Sequence, residues 1–429
     1  MIFLTLYIDL IGFSIFFPLG PKLLAYYIAH ESQGGLFSAL IAQLESLAQA
    51  AHASQAAVAA LFGGVLGSVY SLMQFVFSPV WGARSDRTGR RPVLLATIAG
   101  NAASYLILVF SGSFTLFLLS RILGGIMGGN LSVAIAAVSD VTTRENRAKG
   151  MGVVGAAFGL GFLTGPALGG ITSGMNLLDR HPGLAAWGVH PFSVPALIAF
   201  GLCLVNLVWI VLRFRETLPP ERRGAGVTLR ERNPLHALFL LPDATIRRTN
   251  IVGFLIVFSF CFFETTISFF TADELGYDPH QLTWVFVFLG TVSIMTQGFL
   301  VRRVVKALGE KAMALLGVCL LAVGLVSLGL SVGVARSAPL MYGALVFCAL
   351  GSGFANVGFS ALISLYASAE EQGKVTGIYR SLGFLARAAS PAVAGFLYFR
   401  LHGAWTYGIA GTLLLVPLAL GLSLPKPVK

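Results

Sequence analysis

Apolar residues fill this chain in long runs, broken at short intervals by clusters of glycine, proline and charged residues. A helix needs about 20 mostly apolar residues to cross the hydrocarbon core of a bilayer. Twelve runs reach that length, approximately residues 2–28, 55–81, 93–110, 114–138, 150–171, 192–212, 250–270, 282–301, 312–332, 340–366, 377–399 and 405–424. The pattern predicts an all-α integral membrane protein with twelve transmembrane helices. Composition agrees, because 56% hydrophobic and 11% charged residues leave too little polar surface to coat a soluble globule of 429 residues. The first run lacks a basic leader and is long enough to span, so helix 1 is expected to stay rather than be cleaved as a signal peptide.

A net charge of +11 would suggest nucleic acid in a soluble protein, but here the placement of each cation matters more than the sum. If the first helix leaves the cytoplasm, the inner loops and the C-terminal tail hold 22 of the 29 Lys and Arg residues, and the opposite loops hold only Arg180, Arg336 and Arg400. Short cytoplasmic loops retain cations, so both termini are expected inside. The longest inner connection, 213–248, is basic and rich in Pro and Gly, and lies midway. It predicts an N-terminal six-helix bundle over 1–213, a linker over 214–248 and a C-terminal bundle over 249–429. An ungapped echo supports two related halves: residues 144–170 align with 369–395, pairing Glu145 with Glu370, Gly152 with Gly377, Pro166 with Pro391 and Gly170 with Gly395. Repeated halves with a substrate site between them are a common construction of secondary transporters.

Signatures of other chemistry are missing. The sequence has no GxxxxGK[ST] phosphate loop and no HExxH. Cys203, Cys261, Cys319 and Cys348 fall in apolar stretches without ligand spacing, and all seven histidines lie in loops or at helix ends. No metal site, cofactor, enzymatic function or nucleic-acid partner is therefore expected. Ionisable residues inside the runs are the informative ones: Asp9 and Lys22 on helix 1, Arg121 on helix 4, Glu264 on helix 7, and Arg380 and Arg387 on helix 11. Each costs about 2.5–3.5 kcal/mol at the bilayer centre on insertion scales, so they are expected to face one another or a wet cavity. Arg380 and Arg387 are seven residues apart, which puts them two turns apart along one helix face. Lys22, near the end of helix 1, could instead snorkel to the interface.

Two further patterns call for an explanation. GARSDRTGRRP, residues 82–92, crowds charge into what reads as a turn between helices 2 and 3. Gly161, Gly165 and Gly169 recur every four residues beside Pro166 and Gly170, a face on which another backbone can approach closely.

Taken together these stretches resemble the drug/proton antiporters of the major facilitator superfamily. GARSDRTGRRP matches the superfamily's GxxxDRxGRR signature, SRILGGIMGG looks like its helix 4 motif with a membrane arginine, GLGFLTGPALGG resembles the antiporter GxxxGPxxGG motif, and DLIGFSIFFPLGP is similar to its helix 1 pattern. Within that group the chain is similar to bacterial tetracycline efflux proteins and, through FFETTISFF and YRSLGFLARAASP, to the tetracycline-transporter-like proteins of animals. One departure is Ser104, where tetracycline exporters carry an acid in helix 3. The resemblance implies two pseudo-symmetric bundles rocking around a central cavity. It also implies a gate built from Gly82, Asp86, Arg87, Gly89, Arg90 and Arg91, with Asp86 capping the start of helix 11 and the arginines latching the halves.

The resulting expectation is a monomeric, multi-pass transporter of a bacterial inner membrane that couples proton movement to efflux of amphipathic small molecules. Proton coupling is assigned to a charge pair between Asp9 and Arg121, with Glu264 as a second proton site. Substrate is assigned to Arg387, Arg380 and Lys22, with Phe16, Phe17, Tyr105, Phe263 and Tyr379 as aromatic walls. Four cations against two acids favour an organic anion. A proton-independent facilitator or lipid-like substrate carrier is the first alternative, and a non-transporting membrane receptor or scaffold is the second.

Overall fold

A computed structural model describes residues 2–30, 55–142, 147–223, 243–367 and 372–426, together with a few isolated positions between them. Every regular element among the described residues is helical. The spans are α1 (Ile2–His30), α2 (Gln55–Thr88), α3 (Arg90–Val109), α4 (Phe114–Val138), α5 (Arg147–Thr172), α6 (Ser193–Arg213), α7 (Ala244–Leu275), α8 (Pro279–Leu308), α9 (Glu310–Gly333), α10 (Ala338–Tyr366), α11 (Gln372–Leu401) and α12 (Gly403–Leu422). Eleven helices among the described residues are long and apolar enough to cross a membrane. The remaining expected span falls on α5, a 26-residue helix with several side chains outside the description.

Four spans are discontinuous, each for a local reason. Pro18 turns α1 into a 3-10 segment at Phe17–Leu19, between Ile2–Ser14 and Gly20–His30. The Gly128–Gly129 pair splits α4 into Phe114–Met127 and Asn130–Asp140. A π-turn at Thr296–Leu300 interrupts α8. In α12 the break follows Leu413, whose carbonyl cannot receive a hydrogen bond from Pro417.

The charged run after α2 differs from its expectation as a turn. The helix continues through Ser85, Asp86 and Arg87 to Thr88, and α3 starts at Arg90. Gly89 alone makes the break, with φ of 103° in the left-handed half of conformational space.

Two compact units emerge. Unit 1 comprises Met1–His52, Val69–Leu229 and Tyr277–Val287, and unit 2 comprises Ala53–Ser68, Arg230–Gly276 and Phe288–Lys429. Unit 1 is centred on Leu6, Leu94, Ile98, Val133, Ala137, Ala157 and Ile210, contributed by α1, α3, α4, α5 and α6. The glycine face of α5 lies against α1, where a Cβ at Gly161 would stand 2.5 Å from Leu10 Cβ and one at Gly165 2.9 Å from the Ile11 carbonyl oxygen. Ser14 Oγ donates to Leu10 O at 2.7 Å and to Gly161 O at 3.1 Å across the same seam. Small residues thus do for α1 and α5 what side-chain interdigitation does elsewhere.

Unit 2 packs Ile246, Ile363, Val375, Ile378 and Leu382 into one cluster. Ser390 Oγ of α11 donates to Phe258 O of α7 at 2.7 Å, and the Tyr379 ring lies against Gly253. The Ala53–Ser68 piece of α2 belongs to this unit, and its Ser68 Oγ accepts the Ala392 N–H at 2.8 Å.

Candidate functional site

In unit 1 the break in α4 places Asn130 at the start of the second helical piece, and its Nδ2 donates to Asp9 Oδ2. The other Asp9 oxygen is buried with no hydrogen-bond partner among the described residues. The expected Asp9–Arg121 charge pair is therefore not formed in this structure. Arg121 instead lies among four aromatic rings, its guanidinium carbon 5.3 Å from the centroid of Phe16, 5.9 Å from Phe117 and 6.0 Å from both Tyr70 and Tyr105. An amide on Asp9 and rings around Arg121 stabilise both groups without a direct ion pair. Asn130, Tyr70 and Phe117 escaped the sequence reading; the Gly-Gly-Asn triplet that breaks α4 was the available signal for the first.

The remaining predicted residues of α1 and α3 separate into two kinds. Phe17 packs with Phe13, Phe162 and Phe286 at centroid distances of 5.2, 5.8 and 5.9 Å. Tyr105 covers Gly12 and is almost fully buried. Lys22 is exposed. Ser104, where an acid would suit tetracycline export, bonds its own helix at Asn101 O.

In unit 2 the structure joins Glu264 and Arg387 in an ion pair of 2.5 Å, with the Cys261 thiol 3.7 Å from the same carboxylate oxygen. Arg380 is half-buried, two turns along α11. Phe263 does not line a wet surface: it is 1% exposed and packs against Phe260 at 5.6 Å, so its expected role as a cavity wall is replaced by one in the core. Tyr379 is half-buried on the Gly253 surface of α7.

The gate residues form a compact network within unit 1. Arg90, 6% exposed, bonds Asp86 at 2.5 Å, Asp140 at 2.9 Å and Ser85 Oγ at 2.7 Å. Arg91 donates to Val211 O at 2.7 Å, Arg87 is exposed and Gly82 is half-buried. Glu216, just beyond α6, accepts backbone N–H bonds from Arg90 at 2.8 Å and from Arg91, Thr217 and Leu218 at 3.0 Å each. It occupies the volume a Cβ at Gly89 would need. Asp140 and Glu216 were not singled out in the sequence, because each becomes part of the network only when α3, α4 and α6 meet. The expected capping of helix 11 by Asp86 involves residues 368–371, which lie outside the described residues.

Burial acts to raise the Glu216 carboxyl, but the bonds from Leu218, Arg90, Arg91 and Thr217 outweigh it and hold the group below its ordinary value of 4.5. A depressed carboxyl stabilises the fold above that ordinary value and loses the contribution as pH falls through it. Glu216→Ala is expected to cost about 1–2 kcal/mol at neutral pH. Thermal unfolding in detergent at several pH values checks this: the gap from wild type should narrow below pH 4.5.

Two clusters lie at loop ends. His190 is held by Leu108 O, Ser111 Oγ and the Phe192 N–H, which donates to Nδ1 and so assigns the ring proton to Nε2. Burial pushes this histidine down to about 4, leaving it neutral at physiological pH. In unit 2 Glu274 pairs with His402 at 2.8 Å and Arg336 at 3.0 Å, both of them non-glycine residues with positive φ. Asp273, Glu274 and His402 bring three potential metal-ligand atoms within 4.8 Å of one another, while Arg336 already neutralises Glu274.

The Major Facilitator Superfamily model matches residues 2–271 and 249–429, together the length of the chain. The chain belongs to the major facilitator superfamily. Major facilitator superfamily domain-containing protein 10 of Mus musculus is 32% identical over 449 aligned positions, covering all of this chain and 93% of the relative. The class B tetracycline resistance protein of Escherichia coli is 28% identical, covering 91% and 86%. The crystal structure of the human organic anion transporter MFSD10 (TETRAN) superposes with a TM-score of 0.79 at 31% identity over 98% of this chain and 97% of that one. The nucleoside transporter NupG, at 12% identity and a TM-score of 0.67, shares the fold. Superfamily membership makes this a multi-pass membrane transporter and not an enzyme. The mammalian relatives match at higher identity than the class B tetracycline resistance protein, which speaks against the expected bacterial inner membrane.

Proposed function

We propose that the protein exports amphipathic organic anions by alternating access, with proton movement as the driving force. The observation carrying this reading is the Glu264–Arg387 pair, a titratable acid held at 2.5 Å by a cation inside membrane-spanning helices. Protonation of Glu264 weakens its hold on Arg387, and a substrate anion at Arg387 weakens the hold of Arg387 on Glu264. Events at the two groups are thus energetically linked. Asp9, bonded by a neutral amide and not by a cation, is the second proton site. Arg380 extends the cationic line of α11. The organic-anion assignment draws on the organic anion transporter MFSD10, and the outward direction on the resemblance of the sequence motifs to drug/proton antiporters. The bundle boundaries at 213 and 249, cytoplasmic termini and a monomeric working unit complete the proposal.

Flux of a fluorescent organic anion in proteoliposomes, with and without an imposed pH gradient, tests it. Wild-type rate is expected to respond to the gradient several-fold, and Asp9→Asn is expected to lose most of that response. An Asp9→Asn protein with unaltered gradient dependence removes Asp9 from coupling. A wild-type rate indifferent to the gradient replaces the exporter with a proton-independent facilitator.

A further inference from the structure

Arg121 differs from Arg387 and Arg90 in what holds its charge. Arg387 rests on Glu264, and Arg90 rests on Asp86 and Asp140. Among the described residues no carboxylate lies within ion-pair distance of Arg121, and its one hydrogen bond to them runs from Nε to Ser120 Oγ at 3.5 Å, the outer limit for such a contact. A guanidinium carries five N–H donors in a planar fork, so most of its hydrogen-bonding capacity is unused. The acid assigned to it from the sequence, Asp9, is engaged by Asn130.

The surrounding rings are arranged unevenly. Tyr105 and Phe117 are buried, whereas Phe16, Tyr70 and Arg121 are half-buried. Phe16 immediately precedes the 3-10 turn at Phe17–Leu19, so the interruption of α1 sets where this ring stands. Interrupted spans line binding cavities in transporters because their backbone and side chains leave the regular helical surface. Aromatic faces supply stacking area for a flat π-system, and the planar fork matches the two oxygens of a carboxylate or sulfonate.

We propose that Arg121, boxed by Phe16, Tyr70, Tyr105 and Phe117, is the head-group subsite of unit 1 for a planar aromatic carboxylate or sulfonate. This assigns Arg121 to substrate recognition in place of the proton-coupling pair read from the sequence, and it rests on the reading of the chain as an organic-anion carrier. The substrate supplies the missing counter-charge, and the rings read its flatness.

The test is equilibrium binding to purified, full-length protein in detergent without any gradient, using 1-naphthoate, its neutral amide and cyclohexanecarboxylate. Wild type is expected to bind naphthoate about ten-fold more tightly than the amide. Arg121→Gln should abolish that preference, and Arg121→Lys, which keeps the charge but loses the planar fork, should weaken naphthoate about ten-fold. Phe16→Leu should weaken naphthoate while sparing cyclohexanecarboxylate. Unfolding midpoints close to wild type show that the variants fold, and the Lys variant carries the test if the Gln variant does not. Naphthoate affinity unchanged in Arg121→Gln or Arg121→Lys overturns the subsite. If the same protein loses naphthoate in the paired Glu264→Gln, Arg387→Gln variant, which strands no charge, the anion-carrier reading survives that failure. If wild type shows no preference for the anion over the amide, both readings fall.

Discussion

Arg387→Ala is expected to abolish anion transport and to lower stability by about 1–3 kcal/mol, less than the loss of a partner in a fully buried ion pair because the Arg387 side chain is 32% exposed. Glu264 is the reason. Its side chain is 13% exposed, the Cys261 thiol stands 3.7 Å from the same carboxylate oxygen, and nothing in that contact replaces a guanidinium. Left alone, the carboxylate must either remain charged in an apolar surrounding or take up a proton, and each route spends folding free energy. Replacing both partners, as Glu264→Gln with Arg387→Gln, removes the stranded charge and should recover most of the unfolding midpoint in detergent. Flux should not recover, because the acid and the cation whose linkage couples proton to anion in unit 2 are both gone. A single Arg387→Ala protein that unfolds at the wild-type temperature would show that the pair carries no stability. A double variant with wild-type flux would remove the pair from transport.

Gly169→Val on α5 is expected to prevent folding of unit 1, with a cost of about 3 kcal/mol or more because the obstacle is backbone. A Cβ at that position falls into the Ile15 carbonyl group, 2.9 Å from the carbonyl carbon, and 3.4 Å from the Pro18 ring. A flexible side chain could move aside, but a carbonyl in α1 can retreat only if the two helices part. Their separation would also break the Ser14 bond to Gly161 O. Gly174 serves as the control, since a Cβ there meets nothing within 4 Å. Size-exclusion profiles of detergent extracts check the contrast: Gly174→Ala should elute as wild type and Gly169→Val should aggregate. Equal profiles would mean that α1 and α5 tolerate separation at this seam.

The GARSDRTGRRP stretch shows how far local pattern reaches. Its charge, its glycines and its place between two apolar runs are visible in the sequence, and Gly89 does make the sharp break between α2 and α3. That Arg90 would be buried between Asp86 and Asp140 is not visible, because Asp140 lies fifty residues on and reaches the site through α4. Glu216 is further still, 126 residues from Arg90, yet it organises the first turn of α3. The helix 1 acid followed a similar course. Asp9 was recognisable as an intramembrane acid, but the partner chosen for it from charge alone was Arg121, and the structure supplies Asn130. Phe263 failed for the opposite reason: adjacent to Glu264 in sequence, it points into the core where its neighbour meets Arg387.

By itself the sequence determined that this chain spans a membrane, where its helices run, and which few ionisable side chains need partners. Those properties depend on the transfer of each segment from water to lipid, which each run of about 20 residues expresses on its own. Only the tertiary structure decided which partners meet: Glu264 with Arg387, Asp9 with Asn130, Arg121 with four rings, and Glu216 with the start of α3. Hydrogen bonds and ion pairs act over about 3 Å, and residues more than a hundred positions apart come that close only after the helices have packed.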